Sequence, residues 1–169
     1  QRQMCIRDRV YFWRAWLYYR LVTTYGGVPI IKNAQNPTIG DGTVEESTLN
    51  VERSSTDDCV TFVCEDLDNA ASLLPSVWSD PSVNYGRVTK GAAMALKGRM
   101  LLFYASPLFN RSNDKKRWET AYTANKAAYD ELTTNGDREL VSATSKRAQD
   151  WEKMFVNPLS KEAVSVSYT

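Results

Sequence analysis

The chain has no histidine, three cysteines and a net charge of only +1 over 169 residues. Each scarcity removes a class of function. A zinc site draws mainly on histidine and cysteine, and with Cys5 set aside only Cys59 and Cys64 remain, too few to close one. Five positions apart on a helix, these two lie about 140° apart around the axis and cannot bridge each other. They read as buried, inert thiols, and no metal is expected. The absence of a basic excess speaks against nucleic acid as a partner. No run of about 18 consecutive apolar residues occurs, so nothing reads as a membrane-spanning helix. No glycine-rich loop stands between a strand and a helix, so "TYGGVP" and "GDG" read as turns and not as phosphate cradles.

The two ends differ in character from the middle. "QRQMCIRDR", residues 1–9, resembles a translated sequencing adapter, and "SVSYT", residues 165–169, resembles the same adapter on the opposite strand. Both are set aside as non-native, and residues 10–164 are read as an internal fragment of one helical domain. On that reading the absence of a leader or a lipid-anchor cysteine says nothing about location. Removing Arg2, Arg7, Arg9 and Asp8 with the first segment takes the net charge from +1 to −1.

What is present is helical periodicity. Residues 10–25, "VYFWRAWLYYRLVTTY", repeat Trp13, Trp16, Leu17, Arg20, Leu21 and Thr24 at helical spacing. Gly26, Gly27 and Pro29 stop that helix. Residues 32–54 are rich in Asn, Gly, Thr and Ser and read as a long surface loop. A second helix opens at "SSTDD", where Ser55 or Thr56 can cap and Asp57 and Asp58 favour the positive end of the helix dipole. Its expected inward face is Val60, Val63, Cys64, Leu67, Ala71 and Leu74, with Pro75 as the stop.

The stretch "GRVTKGAAMALKGRMLLFYASPLFN", residues 86–110, is apolar on nearly every side. Thr89 should cap it and Pro107 should end it. A helix apolar all round is one enclosed by others, so this segment is expected to be central. Gly91 and Gly98 are costly inside a helix and are expected where a neighbouring backbone approaches closely. A fourth helix, residues 118–132, carries Trp118, Ala121, Tyr122, Asn125, Ala128, Tyr129 and Leu132 on one side and ends at Asn135-Gly136-Asp137. The last two helices form a tetratricopeptide-like pair, although the loop is long and no clean period of about 34 residues appears. "DWEKMF" reads as a short helical turn near the end.

Taken in order, "RAWLYYRLVTTYGGVPII", "RSSTDDCVTFVCEDLDNAASLLP", the 86–110 stretch, "W...AY.ANKAAYDEL" and "W.KMF.......KEAV" resemble the SusD/RagB family of nutrient-uptake outer-membrane lipoproteins of Bacteroidetes-type bacteria. The resemblance implies a mainly α fold, a helical scaffold with tetratricopeptide-like pairs and long loops, incomplete here. It implies capture of oligosaccharide or another nutrient at the cell surface, handed to a SusC-like, TonB-dependent transporter. The membrane anchor would lie outside this sequence, and no cofactor and no enzymatic activity are implied. A tetratricopeptide-type adaptor and a carbohydrate-active enzyme are the alternatives.

Because ligand residues vary within the family, none is carried over. The residues themselves offer Trp78, Asn84, Tyr85 and Arg87 as candidate ligand contacts, since a loop tryptophan beside an amide and a guanidinium suits a sugar. The bland alternative has Trp78 folding back over the helix ends. The aromatic cluster Tyr11, Phe12, Trp13, Trp16, Tyr18, Tyr19 and Tyr25 is read as packing. Asp57, Asp58, Glu65, Asp66 and Asp68 lie on the first turn or polar side of one helix, where solvation explains them better than a glycosidase pair flanking a cleft. "NRSNDKK" reads as an Asn/Asp turn that needs no ion.

Overall fold

The computed structural model describes residues 4–35, 51–84, 86–140, 152, 156 and 160–164. The aromatic-rich first segment forms α1, Met4–Tyr25, which begins earlier than the periodicity suggested. Gly26 closes it at φ 75° with its N–H on the carbonyl of Val22, the left-handed stop that glycine adopts without steric cost. The face of α1 departs from expectation. Phe12, Ala15 and Val22 are buried, and Tyr11, Trp16, Tyr18 and Tyr19 pack beside them. Trp13, Leu17 and Leu21 instead point outward, exposed by 51%, 55% and 40%. Periodicity could not choose, because α1 is apolar on two sides. Ile6, Val10, Trp13, Leu17 and Leu21 form a second, outward stripe.

The chain leaves α1 through Val28, which is buried, and is crossed by the segment leading into α2. Ser54 N–H donates to the Val28 carbonyl, and the Arg53 guanidinium donates to the carbonyls of Tyr25 and Gly27. A Cβ on Gly27 would lie 2.1 Å from the Ser54 carbonyl oxygen, so only glycine permits this crossing.

Helix α2, Thr56–Leu73, is capped by Ser55, whose hydroxyl accepts from Asp58 N–H at 3.1 Å. Cys59, Val60, Phe62, Val63, Asp66, Leu67 and Ala70 are buried, a wider arc than expected. The reason is position: α2 packs on α1 from one side and on the next long helix from the other. Full burial of Val63 and Leu67 stabilises the stack by roughly 1.5–3 kcal/mol each. Cys59 exchanges hydrogen bonds with the backbone of Val28, and burial pushes the half-buried Cys64 thiol up to about 11. Both thiols are free.

A single turn, α3, Pro81–Asn84, interrupts the loop that follows. Helix α4, Lys90–Ala105, starts at the Thr89 cap and stops at Ser106 before Pro107. Helix α5, Lys115–Thr134, is capped by Asp114. Between them Asn110 is buried, its amide donating to the carbonyls of Ala105 and Asp114 while its oxygen accepts from Asp114 N–H. The polar turn is thus held by the Asn110 side chain on its backbone. Among the described residues, no group of three His, Cys, Asp or Glu side chains could hold a metal ion, and no helix is long and apolar enough to cross a membrane.

The helices stack as α1 on α2, α2 on α4 and α4 on α5, with a minor α1 to α4 contact. Two helices therefore share the centre, α2 as well as the expected α4. Helices α4 and α5 run antiparallel, with Leu132 over Gly91 and Asn125 over Gly98. The close approach at both glycines comes from side chains and not from the backbone that the sequence suggested. Ala121, Asn125 and Ala128 face inward on α5, whereas Trp118, Tyr122 and Tyr129 are exposed. The small residues are what allow α5 to lie close to α4.

The acidic residues of α2 serve this stack. Asp66, only 2% exposed, accepts from Arg14 Nε and a terminal guanidinium nitrogen, both at 2.7 Å. Solvation therefore does not explain it; Asp66 is a buried link between α1 and α2. Asp68 pairs with Lys97 of α4 at 2.7 Å, and Asp57 approaches Arg117 of α5 at 4.0 Å. These carboxylates are spread over one helix and point to three neighbours.

Candidate functional site

Because α4 begins where α5 ends, the loops at that end of the stack meet. Lys90 N–H donates to the Pro75 carbonyl, which ties the end of α2 to the start of α4. Asn135 and Gly136 N–H groups both donate to the Glu131 carbonyl, and Asp137 turns the chain at φ 49°. Behind Ser76 at this end lies Glu131, 8% exposed. Its carboxylate accepts from Ser76 Oγ at 2.5 Å, Asn135 Nδ2 at 2.9 Å and Lys90 Nζ at 3.2 Å.

These donors favour the ionised form, Ser76 first and Asn135 next, and hold the Glu131 carboxyl below the usual carboxylate range. A carboxyl with a lower pKa folded than unfolded stabilises the fold above its unfolded value of about 4.3. That contribution disappears as pH falls through this value toward the folded one. Glu131→Gln should therefore lower the melting temperature at pH 7, with the gap from wild type narrowing between about pH 5 and pH 3. A gap independent of pH would show that Glu131 is not held in its ionised form.

At the same end opens a cavity of about 280 Å³, lined among others by Ser76, Trp78, Asn84, Arg87, Asp137, Arg138 and Lys161. It unites the 76–89 loop, the turn after α5 and a segment near residue 161. Three of the four sequence candidates, Trp78, Asn84 and Arg87, come together on one wall; Tyr85 lies outside the described residues. Trp78 packs partly against the hydrophobic core and donates through Nε1 to the Val88 carbonyl at 3.0 Å. The Arg87 guanidinium carbon stands 5.3 Å from the centre of its ring. Trp78 thus does cover the ends of the helices, while also forming a cavity wall.

Sequence reading missed Arg138 and Lys161, because they lie some 50 and 74 positions beyond Arg87 and reach it only through the α4–α5 turn. Lys161 Nζ lies 3.5 Å from Asp137 and 3.4 Å from Glu139, which raise its pKa, Asp137 foremost. Arg138 donates to the Ser160 carbonyl at 3.4 Å.

The chain as a whole matches a known group. A family model for SusD-like proteins, described as starch-binding and associating with the outer membrane, matches residues 1–102. The chain belongs to the SusD-like family. Its fold is similar to that of a SusD-like protein from Bacteroides fragilis, with a TM-score of 0.71 and 28% identity. That match covers 96% of this chain and 27% of the other. A SusD-like carbohydrate binding protein from the same species shares the fold at TM-score 0.58 and 22% identity, over 79% of this chain and 21% of the other. This SusD-like chain therefore spans roughly a quarter of the length of these solved relatives. No curated protein sequence matches it.

Proposed function

We propose that this SusD-like chain forms part of a non-enzymatic glycan-binding protein of the outer-membrane surface. In this reading it captures oligosaccharide or another nutrient and passes it to a SusC-like, TonB-dependent transporter. The family match over residues 1–102 carries the proposal. Two physical features support it. Loops fixed to one end of a rigid helical stack suit ligand capture. The α2 acids Asp57, Asp66 and Asp68 are committed to Arg117, Arg14 and Lys97, an arrangement for holding helices together and not for flanking a scissile bond.

The ligand contacts proposed are Trp78, Asn84 and Arg87, which share that wall, together with Tyr85, which lies outside the described residues. Affinity capture of the tagged protein from native host membranes should recover a TonB-dependent barrel. Recovery of cytosolic partners alone would overturn the reading.

A further inference from the structure

We infer that the cavity at the α4–α5 end takes an anionic saccharide, a sugar unit whose carboxylate or sulfate group sits between Arg87 and Arg138. This rests on the glycan-binding reading above and specifies its substrate class.

The charge at the cavity is uneven. Its lining includes Arg87, Arg138 and Lys161 but one carboxylate, Asp137. These cations are not equivalent. Lys161 is shared between Asp137 and Glu139, which meet most of its demand for negative charge. The two arginines enter none of the ion pairs formed among the described residues. Arg138 spends one donor on the Ser160 carbonyl, out of the five N–H groups a guanidinium offers. The nearby Glu131 carboxylate is engaged by Ser76, Asn135 and Lys90 and does not line the cavity.

Arg87 is also restrained. Its position over the Trp78 ring limits the rotamer freedom that binding would otherwise remove, so less affinity is lost to ordering. A guanidinium presents paired donors that match carboxylate and sulfate-like oxyanions in two-point fashion.

The same contact argues against a neutral, starch-like ligand here. Neutral pyranoses are best held by an open aromatic face, and Trp78 is the one aromatic among the described lining residues. Arg87 stands over its ring, its indole N–H is bound to Val88, and part of it packs on the core. A volume of about 280 Å³ falls at the low edge of the roughly 300–1,000 Å³ typical of small-molecule sites, room for one sugar unit with its charged group.

The test is titration calorimetry of the protein against three probes: oligogalacturonate, a chondroitin sulfate oligosaccharide and a maltooligosaccharide. At least one anionic probe should bind at least about tenfold more tightly than the neutral one, and its affinity should fall as salt rises from about 0.05 to 0.3 M. The two anionic arms separate carboxylate from sulfate recognition. Arg138→Gln should weaken anionic binding by about tenfold, as expected for loss of a charge-assisted hydrogen bond. Arg87→Gln should do the same, with an unchanged thermal melt confirming that the Trp78 wall is intact; should it fail to fold, Arg138→Gln decides alone.

Tighter binding of the neutral probe, or unchanged anionic affinity in Arg138→Gln, would overturn this inference and leave glycan capture standing. Failure to bind any of the three, together with failure to recover a transporter barrel, would remove both.

Discussion

Replacing Arg14 by alanine is expected to destabilise the helical stack by about 3 kcal/mol, the largest single effect anticipated. Asp66 is 2% exposed, and both of its oxygens accept from the same guanidinium. Removing Arg14 leaves a buried carboxylate with neither its countercharge nor those two donors. Breaking a buried pair typically costs about 3–5 kcal/mol. The Arg14 side chain is 29% exposed, so water can reach the vacated position, which places the estimate at the low end. Packing is lost as well, since the Arg14 guanidinium carbon lies 5.0 Å from the Phe62 ring centre and 5.6 Å from that of Tyr11.

A double change distinguishes charge from packing. Arg14→Leu combined with Asp66→Leu removes both charges and keeps apolar volume, and should recover most of the loss. Urea denaturation should report Arg14→Ala as a lower midpoint at unchanged slope. A loss below about 1 kcal/mol would mean that Asp66 is well solvated without its partner.

Gly98→Leu is the second large effect, a loss of about 1–3 kcal/mol or more from overpacking. A Cβ at this position would lie 2.5 Å from Asn125 Oδ1 and 2.7 Å from its Cγ. Asn125 cannot simply swing away, because its amide nitrogen donates to the carbonyls of Gly98 at 3.0 Å and Ala121 at 2.8 Å. A leucine must therefore either push α5 off α4 or break those bonds. Combining Gly98→Leu with Asn125→Ala should return part of the stability, and a thermal melt of the two variants side by side measures the difference. A neutral Gly98→Leu would contradict the fit of Asn125 against this glycine.

How much of this was legible in the sequence follows from what decides each feature. Helix ends are set locally, so Ser55, Thr89, Gly26 and Pro107 could be read as punctuation, and the helices begin or stop there. That something lies close to Gly91 and Gly98 was legible, since glycine inside a helix is unfavourable without a compensating contact, but it is the side chains of Leu132 and Asn125 and not the expected backbone. Faces were harder to read. On α1, Trp13 and Leu17 fit a helical stripe as well as Phe12 and Ala15 do, and only the presence of α2 on one side separates them. On α5 the expected side held Trp118, Tyr122 and Tyr129 together with Ala121 and Ala128, but only the two alanines of these five are buried and the aromatics are exposed.

The candidate site was half legible for the same reason. Trp78, Asn84 and Arg87 are near in sequence, whereas Arg138 and Lys161 are brought there by the antiparallel α4–α5 pair. Asp66 was misread because its partner lies 52 positions away, too far for any local pattern to reveal.

The three ion pairs made by α2 have one more implication. Asp66, Asp68 and Asp57 reach α1, α4 and α5 respectively, so sliding α2 by a single turn of about 5.4 Å would break all of them together. The rods are thus set in axial register by pegs that lie on the helices and not in the loops at residues 76–89 and 136–138. Substitutions in those loops can accumulate without loosening the pegs, so the cavity between them is free to change its lining while the frame itself is kept.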